Sequence, residues 1–291
     1  MISGNLLWIL VGTLLLGVAS GITGTFSFLQ RQSLIGDAAA HAALPGIALA
    51  FLFTGIKDLP VLMIGAAITS TIAVYSIQWI STHSKLKADA ATGLVLAIFF
   101  GFGIVLLTIV NRSPKGNQSG LNDFIFGKAA AMAKADLYWL IICTAIIIIV
   151  SLLFFKEWKL MIFDPIYAKG IGLPVEWMRA CLTFLIVLTI VTGIQAVGVI
   201  LMSALLIIPP LTARLWTRHL YSMVIVSASI GGMAGMIGTY ISSLRVGLST
   251  GPIIVLVAST LFFISFLISP THGIIRKAIS KKTFQQRGER I

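Results

Sequence analysis

The sequence predicts an all-α, polytopic membrane protein with eight or nine transmembrane helices and one short helix on the cytoplasmic face. Three observations carry this. Of 291 residues, 58% are hydrophobic and only 10% charged, against about 25% charged in a typical soluble domain. Leu, Ile, Val and Phe fall in charge-poor blocks of roughly 20 residues, the length a helix needs to cross about 30 Å of hydrocarbon. The basic residues stand beside those blocks, where topology signals stand.

The apolar segments fall at 5–29, 38–55, 59–81, 90–110, 137–155, 178–194, 196–213, 220–243 and 252–269. No Lys or Arg precedes the first, and it runs past Val18-Ala19-Ser20, which loosely resembles a signal-peptidase site, to Leu29. It reads as a retained transmembrane helix. Only Gly193 to Gly198 separates the sixth segment from the seventh. Two spans, or one long broken helix, are both open there, hence eight or nine.

Orientation follows from the positive-inside rule. With the N-terminus outside and nine spans, Arg31, Lys85, Lys87, Lys156, Lys159, Lys169, Arg179, Arg214 and Arg218 lie inside, with six more basic residues between Arg276 and Arg290. Lys57, Arg112, Lys115, Lys128, Lys134 and Arg245 lie outside. The domain reading is one transmembrane domain over 1–275, followed by a basic cytoplasmic tail over 276–291.

The net charge of +12 does not indicate nucleic acid as a partner, because the cations flank apolar blocks instead of forming a stripe with interleaved aromatics. Cys143 and Cys181 lie in or at the ends of apolar segments without CxxC spacing, and read as small core hydrophobes. Gly17-x-x-x-Gly21 and Gly231-x-x-x-Gly235 have the spacing that lets transmembrane backbones approach closely. No internal repeat is visible, so an inverted-repeat secondary transporter finds no support.

Two connections are long. The outside one, Asn111 to Asp136, reads either as a contact for an external partner or as a plain loop. The inside one, Lys156 to Arg179, encodes a short helix. Asp164 is a good N-cap, Pro165 suits the first helical position, and Gly170 or Gly172 can close the helix in a left-handed conformation.

Ionisable groups at membrane depth are expensive and mark function by default. Most carboxylates fall in loops. Asp37 opens the second span, four residues before His41, so both side chains share one helix face. One oxygen and one nitrogen ligand make half of a site suited to manganese, iron or zinc. His41 must be neutral to bind, so affinity should fall in acid. Pro45 cannot donate to the His41 carbonyl, so the helix should kink, and the freed carbonyl can add an oxygen ligand or hold a water. The bland alternative makes Asp37 merely the N-cap of the second helix, near water, and His41 a partly buried histidine satisfied by it.

His83, His219 and His272 lie in loops or the tail and read as solvated. Gln195 falls at the break between the sixth and seventh segments, where lining the path and bonding another helix are both open. Pro209-Pro210 should disrupt the seventh segment near its inner end, as a gate or as the helix terminus. There is no GxxxxGK[ST] loop, so any ATP hydrolysis belongs to another chain. GxSxG and HExxH are absent too.

Three stretches resemble one family. Arg31-Gln32-Ser33-Leu34-Ile35-Gly36-Asp37-Ala38-Ala39-Ala40-His41-Ala42-Ala43-Leu44-Pro45-Gly46 resembles the start of the second span in the zinc/manganese/iron class of ABC import permeases. Gln195-Ala196-Val197-Gly198-Val199, continuing through Pro209 to Thr212-Ala213, is a second match. Asp164-Pro165-Ile166-Tyr167-Ala168-Lys169-Gly170-Ile171-Gly172 is similar to the family's coupling helix, here about 164–173. Pro210 and Leu211 depart from the two alanines more usual there.

The resemblance implies a multi-pass permease of the prokaryotic cell membrane, and no enzyme. It implies a homodimer surrounded by membrane lipids, docked on cytoplasmic ATP-binding cassette subunits that carry the ATP. An extracytoplasmic metal-binding protein would deliver manganese, zinc or iron. Asp37 and His41 would line the metal path, with Gln195, Pro45 and Pro209 as further path or gate residues. Asp164, Pro165, Ala168, Gly170 and Gly172 would couple to the ATPase. Two rivals are a metal-chelate (siderophore-type) ABC permease and a proton-coupled secondary cation transporter.

Overall fold

The structure, a computed structural model, describes residues 4–30, 32, 34–55, 59–112, 134–244 and 249–269. The tail over 276–291, His272 and most of the Asn111–Asp136 connection lie outside the described residues. Among the described residues there are eleven helices and no strands: α1 (Gly4–Leu29), α2 (Ile35–Thr54), α3 (Leu59–His83), α4 (Ala88–Arg112), α5 (Lys134–Leu153), α6 (Phe155–Phe163), α7 (Pro165–Gly170), α8 (Val175–Val197), α9 (Val199–Trp216), α10 (Leu220–Ser243) and α11 (Thr250–Ile268).

Seven of these are long and apolar enough to cross a membrane, and α5 with α6, bent by 65° at their junction, makes an eighth. The segment expected at 196–213 is α9, a shorter apolar helix. The protein is therefore an all-α multi-pass membrane protein. Such a chain satisfies its backbone within helices, the only solution besides a closed barrel that hydrocarbon permits.

Small residues set the packing. The two Gly-x-x-x-Gly motifs meet each other: a Cβ on Gly17 would collide with the Gly231 carbonyl, and one on Gly231 with the Gly17 carbonyl. Along the same seam the Ser227 hydroxyl donates to the Gly21 carbonyl at 2.8 Å, and Thr239 donates to Thr13 at 2.9 Å. Helices in lipid gain little from burying apolar surface, so close backbone contact and hydroxyl bonds hold α1 on α10.

The second membrane helix, α2, is enclosed by α3, α4 and α9. Gly46 and Gly65 bring α2 and α3 together backbone to backbone, while Gly103 of α4 lies against the Pro45 ring. Ser70 of α3 donates to the Ala39 carbonyl at 2.8 Å. On the outside, α4 exposes Ile98, Phe102 and Val105, and α11 exposes Leu256, Phe263 and Ile268, apolar surface suited to lipid.

The sixth and seventh segments are two helices that fold back on each other. Gly198 separates them with φ 85° and ψ 166°, a conformation open to glycine alone. The Met202 side chain then lies against Gly193, where a straight helix would hold the two Cα atoms about 13.5 Å apart.

One expectation is corrected. Pro209 and Pro210 do not disrupt the seventh segment, since α9 runs through both to Trp216. Pro210 removes the donor for the Leu206 carbonyl, and that carbonyl rests on Gly24 of α1, where no side chain stands in the way. A neighbouring helix thus accommodates the freed group, as membrane helices allow. In the same way α2 is unbroken through Pro45.

Candidate functional site

Asp37 and His41 lie in the first two turns of α2, and the helix places both on one face. His41 Nε2 stands 3.4 Å from Asp37 Oδ1, with side chains 22% and 30% exposed. That spacing suits one ion. Two ligands about 2.1 Å from a tetrahedral metal sit about 3.4 Å from each other.

The bland alternative is met in part. Leu34 is the N-cap of α2 and makes no side-chain cap, so Asp37 is a residue of the first helical turn. His41 is partly buried and paired with Asp37 through Nε2, but on that side only. Its Nδ1 is buried without a hydrogen-bond partner among the described residues, whereas buried polar atoms are normally paired.

Two neighbours complete the surroundings. The Ser203 hydroxyl of α9 is within hydrogen-bonding reach of the Asp37 carboxylate. Phe100 of α4 meets the His41 ring edge-to-face, with centroids 4.9 Å apart. Sequence reasoning missed both. A hydroxyl inside an apolar helix was the available signal for Ser203, while Phe100 is one apolar residue among many in its segment.

Among the described residues, no third His, Cys, Asp or Glu joins this pair. His83 stacks on Trp79 and His219 is exposed. Cys143 and Cys181 are free thiols in α5 and α8. Gln195 lies in the last turn of α8, its side chain outside the described residues. Pro209 is buried within α9.

The predicted cytoplasmic helix is α7. Asp164 Oδ1 accepts from the Tyr167 amide at 2.9 Å, and Pro165 takes the first helical position. Gly172, not Gly170, closes the helix at φ 84°. The Leu173 amide reaches the Ala168 carbonyl at 3.1 Å and the Gly172 amide reaches Lys169 at 3.1 Å, the two bonds of a Schellman closure. The helix is thereby fixed at both ends by its own sequence.

It is also anchored. Ala168 is fully buried, and Glu176 at the start of α8 pairs with Lys169 and Arg179 at 3.4 and 3.2 Å. Beneath it, Trp158 of α6 is fully buried and donates to the Met178 carbonyl at 3.2 Å. The outer face carries Ile166, 84% exposed, with Tyr167, Ile171 and Phe163. Together they are exposed apolar surface around a capped helix, of the kind that marks an interaction surface.

Comparison with known proteins decides the family. A family model described as "ABC 3 transport family" matches residues 3–269. The chain belongs to the ABC 3 transport family. Two relatives are similar to this family member over most of its length. The "Manganese transport system membrane protein MntC" of Bacillus subtilis is 46% identical over 286 residues, covering 98% of this chain and 66% of that protein. The "Zinc transport system membrane protein TroC" of Treponema pallidum is 43% identical over 267 residues, covering 92% and 90%.

Among solved structures, this ABC 3 family member is similar to PsaBC from Streptococcus pneumoniae in complex with Fab. The TM-score is 0.82 at 32% identity, over 94% of this chain and 95% of that one. A metal-chelate type ABC transporter in an inward-facing conformation shares the fold, with a TM-score of 0.71 at 18% identity, over 89% and 84%. The described helices and the family together make the chain a multi-pass membrane protein of a transport system.

Proposed function

We propose that the chain is the permease subunit of an ATP-driven importer of divalent transition-metal ions, manganese, zinc or iron, in a prokaryotic cell membrane. The observation that carries this is the Asp37–His41 pair, spaced to hold one ion inside an enclosed membrane helix. The relatives named for manganese and zinc transport support the substrate class.

The mechanism starts at that pair. An external metal-binding protein releases its ion to the outer side of the permease. Asp37 compensates its charge and His41 supplies a nitrogen ligand, as the neutral imidazole. Ser203 orients the carboxylate, and waters or the His41 carbonyl, freed by Pro45, can fill remaining positions. Two protein ligands hold an ion weakly enough to release it, where a full tetrahedral cage would trap it.

Energy comes from separate ATP-binding subunits docked on the cytoplasmic face, and this chain catalyses no reaction. The capped α7, with its exposed Ile166 and Tyr167, offers the contact surface, and α6 and α8 carry its displacement into the spans. Two copies of the 1–275 domain form the permease, with Gln195 and Pro209 along the path. Metal uptake in cells carrying Asp37→Ala or His41→Ala, with and without the partner ATPase, tests this reading. Loss of uptake in each case supports it. Uptake that survives without the ATPase overturns ATP drive, and full uptake in both variants overturns the site.

A further inference from the structure

Away from the Asp37–His41 pair, α1, α5, α6 and α10 enclose a groove of about 380 Å³. Its walls are apolar: Ile22 and Phe26 of α1, Ile148 of α5, Val224 and Ala228 of α10. A cation and a phenol enter it at one end. Lys156 of α6 and Tyr221 of α10 both line it, both are exposed, and Lys156 has no ion pair among the described residues. The positive-inside rule puts that end at the cytoplasmic interface, beside Lys159 and Arg218.

A third polar group lies deeper. Ser151 of α5 lines the groove and is 4% exposed, yet its hydroxyl has no hydrogen-bond partner among the described residues. Many serines and threonines in the other helices donate to the carbonyl four residues back, as Thr189 does to Leu185 and Thr192 to Leu188. Ser151 does not, and a buried hydroxyl without a partner is destabilising.

From Tyr221 to Ala228 the groove extends about 10 Å into the membrane, at 1.5 Å per helical residue. A cation and a phenol at the membrane interface, a hydroxyl below them and an apolar trough beneath form a graded surface. Its order is that of a phospholipid: phosphate, glycerol ester, acyl chain.

We propose that this groove is a binding site for one anionic phospholipid of the inner leaflet. Its phosphate sits on the Lys156 ammonium and the Tyr221 hydroxyl. The Ser151 hydroxyl donates to an ester carbonyl, and an acyl chain runs along Phe26, Ile22 and Ala228. Basic pockets between transmembrane helices on the cytoplasmic side suit anionic headgroups. Phe155, edge-to-face with both Phe26 and Tyr221 at 6.2 and 6.1 Å, ties the groove to α6, so the lipid would brace the helix that carries α7. The site is independent of which ion is carried.

The test is native mass spectrometry of the full-length chain in its transporter complex, released from nanodiscs of phosphatidylcholine with and without phosphatidylglycerol. One phosphatidylglycerol retained per chain, in preference to phosphatidylcholine, is expected. Lys156→Gln should lower its retention about fivefold, Ser151→Ala should lower it less, and Lys159→Gln, outside the groove, should leave it unchanged. Ile225→Trp fills the groove without altering charge and should displace the lipid with Lys156 intact. Equal retention of both lipids overturns the proposal, as does retention unaffected by Lys156→Gln and Ile225→Trp. Displacement of the lipid by inorganic phosphate would show an anion site with no acyl component. A cross-link between two copies through Ile225→Cys would show that a second chain covers the groove, and either result also overturns it.

Discussion

The carbonyl oxygen of Leu206 in α9 rests on Gly24 of α1, at the point where Pro210 has removed that carbonyl's helical partner. A glycine on one helix thereby leaves room for a freed carbonyl on another. The contact also fixes α9 beside α2, because the Leu206 side chain lies against Gly36, one residue before Asp37.

Gly24→Ala follows from this directly. The added methyl collides with backbone, which yields less readily than a side-chain tip, and overpacking of this kind costs about 1–3 kcal/mol. The expected outcome is a lower thermal midpoint in detergent. Metal affinity should fall as well, because α9 carries Ser203. An unchanged midpoint and affinity would show that the helices separate freely here.

Ser203→Ala tests the carboxylate's support in isolation. Partners that orient a metal ligand are worth about 10–100-fold in affinity when removed. We expect metal binding, read by titration of the purified permease, to weaken about tenfold with the thermal midpoint held. Ser203→Thr keeps the hydroxyl and should restore most of the loss. Failure of the threonine to rescue would point to packing instead.

Much of this site was legible in the sequence, and the reasons differ by residue. Asp37 and His41 stood out because a carboxylate and an imidazole in an apolar helix are costly, and a spacing of four puts them on one face of any helix. The α7 boundaries were legible because capping is local chemistry: Asp164, Pro165 and Gly172 act within a few residues of themselves. Ser203 and Phe100 were not, because their proximity to α2 depends on how α4 and α9 pack against it. Pro209-Pro210 misled for the same reason. The local rule says the helix stops, and the room that the freed carbonyl needs comes from Gly24, far away in sequence.

Acid should weaken metal binding. A proton on His41 removes the nitrogen lone pair and adds a positive charge beside the cation, so binding is present while the imidazole is neutral and is lost on acidification. Competitive binding of manganese along a descending pH series checks the direction. Asp37→Asn should bind weakly at every pH yet keep the acid sensitivity, whereas His41→Gln should lose it. Acid sensitivity surviving in His41→Gln would move its origin elsewhere.

Asp164→Ala separates binding from coupling. The Asp164 carboxylate satisfies the Tyr167 amide at 2.9 Å, and loss of such a cap costs about 1 kcal/mol. In a helix as short as α7 (six residues), that is enough to fray the first turn. The membrane helices do not depend on this bond, so the thermal midpoint and metal affinity should hold. ATP-dependent uptake into vesicles should fall several-fold, because a frayed α7 transmits displacement poorly to α6 and α8. Asp164→Asn keeps an accepting oxygen and should retain most of the uptake. Equal loss in Asn and Ala variants would mean that the negative charge matters beyond its role as a cap, and would assign Asp164 to the ATPase contact itself.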